Sequence, residues 1–334
     1  MTIVINPNPF DKSQLAAMLR DIVDQFPEAM PNPLSEVQRV YPSVNEMIQQ
    51  RLREWDLPID KKACNAKFNA GYHIAVNTYN HIRSPEMQAE IALYTGLMFV
   101  VDDGLVDPRA VEEFVPRLCA GSRQLHPVLD HFVETCHTLQ RSYPTFGANS
   151  IYASTIDFVN AEHFQGRDEA QDLRLSGDSA PYVRYMRDKD GVGAAYAAFV
   201  WPKDRFPNSA DYIQVFPDTI DCICFIKFVP FFMRSSSSID QSMVFSDIFS
   251  YYKEVKAGDD ENYINRLAIA NKRSEGTELA ALVAHVKAVF QRVRRILGEG
   301  KARDAWEHAI GGYIRFHLQA PRYQLSEILP ELKA

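Results

Sequence analysis

The 334-residue chain is short of several things, and each shortage removes a class of function. It has no G-x-G-x-x-G and no G-K-[ST] phosphate loop, so neither a dinucleotide fold nor a P-loop enzyme is indicated. No alternating strand pattern runs between Asn-Gly or Asp-Gly turns and no repeat recurs, which removes sheet-based and solenoid architectures. Five cysteines (Cys64, Cys119, Cys136, Cys222 and Cys224), an odd number with no C-x-x-C, offer neither a disulfide framework nor a zinc site. Positive charge is not in excess: the net charge is −7 and the pI about 5.7, which argues against a nucleic-acid surface or a basic membrane patch. The most apolar runs, Ile91–Val101 and Cys222–Met233, are too short to span a bilayer, and Lys227 interrupts the second. The N-terminal M-T-I-V-I-N-P-N-P lacks a charged region followed by a long apolar one, so no signal peptide is expected and a cytoplasmic, reducing setting is the default.

What is present is helical period and apolar bulk. Apolar residues make up 46% of the chain, with 20 Phe and 15 Tyr, enough for a sizeable core. Residues 1–44, with prolines at 7, 9, 27, 31, 33 and 42, read as a loosely held arm with one helix around Lys12–Phe26. From residue 45 to 334 the spacing predicts helices over Val44–Trp55, Lys61–His81 and Pro85–Val101, the third opened by Ser84 as N-cap and Pro85 at its first position. Further helices are expected at Asp107–Cys119, Pro127–Gln140, Asn149–Gln165, Pro181–Arg187 and Gly193–Trp201, and then at about Gln241–Lys256 and Ala302–Leu318. A 3–4 apolar spacing from residue 279 to 297 adds one more, and Arg234–Ser238 reads as a loop. The architecture is therefore all-α, one domain of ten or more helices.

Two stretches carry candidate chemistry. Ser246, Ser250 and Glu254 stand four apart, a spacing that drifts by only about 40° per step on a helix, so their oxygens share one stripe. Phe245, Ile248, Phe249 and Tyr252 make the rest of that helix apolar. Three oxygen ligands suit a hard divalent cation, and Lys253 beside them suits a phosphate. Upstream, Asp102, Asp103 and Asp107 close an apolar helix at its negative C-terminal pole, an arrangement that a cation or solvent must relieve. Facing each other, the two stretches could hold Mg²⁺ ions around one diphosphate.

Four motifs, in order, carry a resemblance. D-D-G-L-V-D at 102–107 resembles the aspartate-rich motif of class I terpene cyclases, and S-D-I-F-S-Y-Y-K-E at 246–254 resembles their N-D-x-x-S-x-x-K-E metal motif. M-R-D-K-D-G-V-G at 186–193 with F-V-W-P-K-D-R-F at 199–206 is similar to the segment of their diphosphate-sensing arginine, and G-Y-I-R-F-H-L-Q-A-P-R-Y-Q-L-S-E-I at 312–328 to their arginine–tyrosine segment. Over roughly residues 65–330 the chain resembles the fungal trichodiene synthase family of sesquiterpene cyclases, which includes longiborneol synthase-like members.

The resemblance implies a class I terpene synthase helical bundle around a central apolar cavity, with farnesyl diphosphate as substrate, a cyclic sesquiterpene and diphosphate as products, and a homodimer. It implies three Mg²⁺ ions, two on Asp102 with Asp103 and Asp107 in support, and one on Ser246, Ser250 and Glu254. Arg187, Lys253, Arg322 and Tyr323 would bind the diphosphate, since guanidinium groups give it planar, charge-assisted donors. Phe68, Tyr72, Tyr94, Phe99, Phe158 and Phe316 are candidates to line the pocket. Ser246 stands where the motif has Asn and Ala320 where an Asp is usual, so a catalytically impaired binder of isoprenoid diphosphates is the alternative. A chain-elongating prenyltransferase would need a second D-D-x-x-D, which Asp259-Asp260-Glu261-Asn262 is not. The interval from Trp201 to Ser246 is longer than the resemblance requires. Its surplus, around Lys227–Ser242, reads as an inserted loop or as an unspliced intron.

Overall fold

The computed structural model describes residues 11–29, 42–167, 170, 173–226, 228–230, 244–246, 248–258 and 262–333. Its centre is the helix Pro85–Asp102 (α4), preceded by Lys12–Val23 (α1), Pro42–Trp55 (α2) and Lys61–Thr78 (α3). Ser84 caps α4 by accepting from the Met87 N–H at 3.2 Å, and Pro85 fills the first turn. From Ile91 to Asp102 every residue is buried. A helix apolar on all sides has no face to offer water, so neighbours must enclose it. Helices α2, α3 and Pro127–Ser142 (α7) do so, the short Pro108–Glu112 (α5) and Phe114–Cys119 (α6) lying between. At Gly71 the backbones of α3 and α4 nearly touch: a Cβ there would overlap the Ala92 carbonyl.

A second layer holds Thr145–Gln165 (α8), Ala180–Asp190 (α9), Gly193–Phe199 (α10) and Phe216–Ile226 (α11), with Tyr251–Ala257 (α12) and Tyr263–Asn271 (α13) following in the chain. Glu275–Leu297 (α14) packs on α11 and α13, and Lys301–Gln319 (α15) packs on α3. Short 3₁₀ turns at Pro321–Tyr323, Leu325–Glu327 and Pro330–Lys333 follow α15. Part of the expected N-terminal arm is docked: Leu15, Leu19 and Ile22 of α1 are buried, and α1 lies along α14. Residues from α1 to the final turns share one hydrophobic core. Among the described residues no helix is long and apolar enough to cross a membrane.

The expected helices are present with two differences, and Phe216–Ile226 (α11) and Tyr263–Asn271 (α13) are helices that the periodicity did not mark. Asp107–Cys119 divides at Glu113 into α5 and α6, because Pro116 has no N–H to offer the Glu112 carbonyl. The larger correction concerns the helix expected over Gln241–Lys256. Among its described residues only those from Tyr251 on, in Tyr251–Ala257, are helical, after a turn at 248–250. Val244–Ser246 (β2) instead pairs antiparallel with Phe228–Pro230 (β1), Phe228 opposite Ser246. Val and Phe suit a strand once a partner strand is present. Ser246 therefore does not share a helical stripe with Ser250 and Glu254. Lys227, Asp247, the loop expected at 234–238 and the Asp259–Glu261 stretch lie outside the described residues.

Candidate active site

Asp102 ends α4 and Asp103 caps it; both are buried, at 3% and 4% exposure. Two buried carboxylates at a helix C-terminus are unfavourable without positive charge nearby. Lys67 of α3 supplies some, in an ion pair with Asp103 Oδ2. Asp103 Oδ1 has no hydrogen-bond partner. Tyr196 of α10 donates its hydroxyl to Thr95 Oγ1 of α4 at 2.9 Å. Burial pushes that hydroxyl's pKa up, and the charge of Asp102 adds to the rise. A cleft of about 270 Å³ opens at this end of α4, lined among others by Asp102, Asp103, Glu112, Glu162, His163 and Arg167. Asp107 stands apart: it is exposed and spends its carboxylate as the N-cap of α5, accepting from the Arg109 N–H at 2.9 Å.

The second candidate stretch is built around α12. Ser250 and Glu254 are buried, and Ser250 Oγ donates to Glu254 Oε1. Side chains on both flanks position them. Tyr251 donates to Glu275 Oε2 at 2.6 Å, and Asn265 Nδ2 donates to Glu275 Oε1 at 2.9 Å, which ties α12 to α13 and α14. Burial, then the Glu275 hydrogen bond, raises the Tyr251 hydroxyl's pKa. On the other flank Tyr252 donates to Glu327 Oε2 at 2.6 Å, and Lys256 reaches Glu327 Oε1 at 2.7 Å and Gln324 Oε1 at 2.6 Å. Lys12 of α1 completes the cluster at 2.9 Å from the Tyr252 hydroxyl.

That clasp sets α12, with half-buried Lys253, beside the Pro321–Tyr323 turn that carries Arg322 and Tyr323. Tyr323 is fully buried, its ring 5.0 Å from that of His317, which in turn lies 5.7 Å from Phe249. Arg187 sits at the end of α9, 5% exposed, donating to the Cys224 carbonyl at 2.6 Å and to Asp190 Oδ1 at 3.5 Å. It is thereby held against the last turn of α11. The ribbon links the two halves, since β1 runs beside α4 and β2 leads to α12.

Lys67, Glu275 and Glu327 carry no sequence signal. Each meets its partner across helices distant in the chain, and a lone Lys or Glu on a helix reads as a solvated face. The aromatic candidates are core residues: Phe68, Tyr94, Phe99 and Phe158 are at most 1% exposed. Tyr94 bonds Thr155 at 2.8 Å and meets Phe132 edge-on at 5.0 Å.

A divalent cation fits the donors present. Among the described residues no three or more His, Cys, Asp or Glu stand close enough to hold one metal ion by themselves. The donors come instead in oxygen pairs, Asp102 with Asp103 and Ser250 with Glu254, and buried Asp103 Oδ1 lacks a hydrogen bond. Hard oxygen ligands whose remaining positions are filled by water and substrate phosphate are the usual Mg²⁺ setting.

A family model described as Trichodiene synthase (TRI5) matches residues 31–334. Monoterpene synthase 25 of Postia placenta is 34% identical over 258 residues, covering 77% of this chain and 71% of that protein. Terpene synthase 29 of the same organism is 30% identical over 290 residues, covering 86% and 78%. Among solved structures, linalool/nerolidol synthase of Streptomyces clavuligerus with 2-fluorogeranyl diphosphate overlays with a TM-score of 0.55 at 15% identity, covering 84% of this chain and 94% of that one. At that identity the likeness is one of fold.

Proposed function

The chain belongs to the trichodiene synthase family and is a terpene synthase, and from that premise we propose that it cyclises farnesyl diphosphate with Mg²⁺. Residues 45–334 form the cyclase domain in this reading. The observation that carries it is the buried Asp102–Asp103 pair, with one oxygen lacking a hydrogen bond, at the end of a helix enclosed on all sides. Asp102 and Asp103 hold metal at one end, and Ser250 and Glu254, with Ser246 preceding them, hold it at the other. Asp107 serves as a cap. Mg²⁺ held by these residues would supply positive charge against the negative charge that grows on the departing diphosphate.

The chain's own residues do the rest. Arg187, Lys253, Arg322 and Tyr323 hydrogen-bond the diphosphate, which leaves with the electron pair of the allylic C–O bond. For Arg187 this means turning from the Cys224 carbonyl and Asp190 toward substrate. Lys67 holds Asp103 in place through their ion pair. Apolar residues of the cleft, Val101, Val106 and Val111, pack on the isoprenoid and exclude water, so the allylic cation reacts with its own double bonds. Faces of buried rings such as Tyr94 and Phe99 attract the migrating charge.

The test is a product assay with farnesyl or geranyl diphosphate, in Mg²⁺ or EDTA, read by gas chromatography–mass spectrometry. A Mg²⁺-dependent cyclic C15 product is expected, and its mass says whether water was captured. Cyclic C10 product alone would assign the shorter substrate, the reading favoured by the name of Monoterpene synthase 25. Only linear alcohol at the EDTA level from both substrates would leave a diphosphate binder without cyclase activity.

A further inference from the structure

The metal-side residues of α12 are separated from α11 by a detour. Helix α11 ends at Ile226, β1 begins two residues later, and the chain returns through β2 to Ile248. Phe228 and Ser246 are register partners, so the detour begins and ends at one place. Residues flanking the gap are core on both sides: Cys222 through Ile226, then Ile248 through Tyr252, are all buried.

Putting one residue between Ile226 and Asp247 restores a helical pattern. Ile223, Ile226, Phe249 and Tyr252 then recur at 3–4 spacing, and the joining residue, Ser250 and Glu254 stand four apart on one stripe. The joined segment has Pro217 in its first turn and Gly258, at φ 73°, just past its end, with neither residue type between. These are the start and stop signals of a single helix. The detour itself contains Pro230 and the four-serine run 235–238.

The genetic code names the joining residue. Nuclear introns open with GT and close with AG. Lys227 as AAG followed by a Phe228 codon, TTT or TTC, reads AA|GTT. Phe245 followed by Ser246 as AGT or AGC reads TTY-AG|Y, where Y is T or C. Removing what lies between the bars takes out whole codons and leaves AAY, which encodes Asn and nothing else. We propose that Lys227–Ser246 is translated from an unspliced intron, and that the spliced chain reads Ile226-Asn-Asp247 in one continuous helix. That helix presents Asn, Ser250 and Glu254 as a three-oxygen site for a divalent cation carrying diphosphate. The Asn carboxamide supplies the reach that a serine hydroxyl lacks.

This rests on reading Ser250 and Glu254 as metal-side residues, and its test is independent of turnover. The first measurement is the cDNA sequence across the junction. The second compares the full chain with one in which Lys227–Ser246 is replaced by a single Asn. Circular dichroism would report helix content, and calorimetry the binding of inorganic diphosphate with Mg²⁺. Expected are a cDNA reading Ile-Asn-Asp, more helix, and diphosphate binding tighter by about tenfold or more. Joining with Ala instead of Asn should keep the helix and lose the tighter binding. Transcripts that all retain the segment, or a joined chain no more helical than the full one, would overturn the proposal. If the joined chain is spliced and binds diphosphate but forms no terpene product, the cyclase reading fails and this one stands.

Discussion

The end of α4 and the start of α12 are made of the same ingredients and differ in how far the chain alone can assemble them. Each has oxygen-bearing side chains at the edge of an apolar helix, a neighbouring lysine and a glycine that ends the helix. Helix α4 runs unbroken from its Ser84 cap, so Asp102 and Asp103 arrive at the C-terminus by helix geometry. Helix α12 has only seven residues and starts just after its cap Ser250, with Ser246 in a strand. Four-residue spacing places groups on one face only while the helix is continuous. The first proposed half-site is thus preformed, and the second is held by Tyr251, Tyr252 and Lys256 reaching Glu275 and Glu327.

The strongest way to break this comparison is at the ligands. Asp102→Ala and Glu254→Gln should each lower kcat/KM for diphosphate release by about 100-fold or more while leaving circular dichroism unchanged. If only the first does so, α12 lies outside the site. Next is the scaffold of the preformed half. Gly71→Ala drives a Cβ into the Ala92 carbonyl, which no rotamer relieves, and should cost about 2–3 kcal/mol in urea unfolding.

A pH effect of similar size falls on the same half. His81, after α3, is half-buried with its ring enclosed and Nε2 2.9 Å from the Val200 carbonyl, and desolvation of the ring lowers its pKa to about 4. The unfolded chain takes up that proton first, near pH 6.5, so stability present above that pH is lost as pH falls toward 4. Between pH 6.5 and 5 this amounts to about 1.5 kcal/mol, and His81→Leu should flatten that part of the stability profile. On the α12 side effects should be smaller. Gly258→Ala at φ 73° should cost about 1 kcal/mol in thermal melts. Glu327→Gln should cost less still, because its partners Lys256 and Tyr252 meet it at the surface. A stability loss at Glu327 larger than at Gly71 would reverse the assignment of the preformed half.

Most of the helices could be read from period and punctuation. Ser84-Pro85 opened α4, Gly258 closed α12, and Asp107-Pro108 opened α5. By resemblance Asp107 reads as a supporting metal carboxylate, but the structure spends that carboxylate on the Arg109 N–H as the cap of α5. The Lys67–Asp103 pair was not legible, because nothing local marks which lysine on an amphipathic helix faces a neighbour.

The sequence by itself determined that the chain is helical, that α4 must be enclosed, and that acidic and hydroxyl groups stand at the ends of apolar helices. Those follow from covalent spacing and the cost of exposing apolar surface, which act along the chain. Only the tertiary structure decided which charges those groups meet and whether Ser246 belongs to a helix or a strand. Ion pairs between helices, and a strand that exists only with its partner, depend on contacts between residues far apart in the chain.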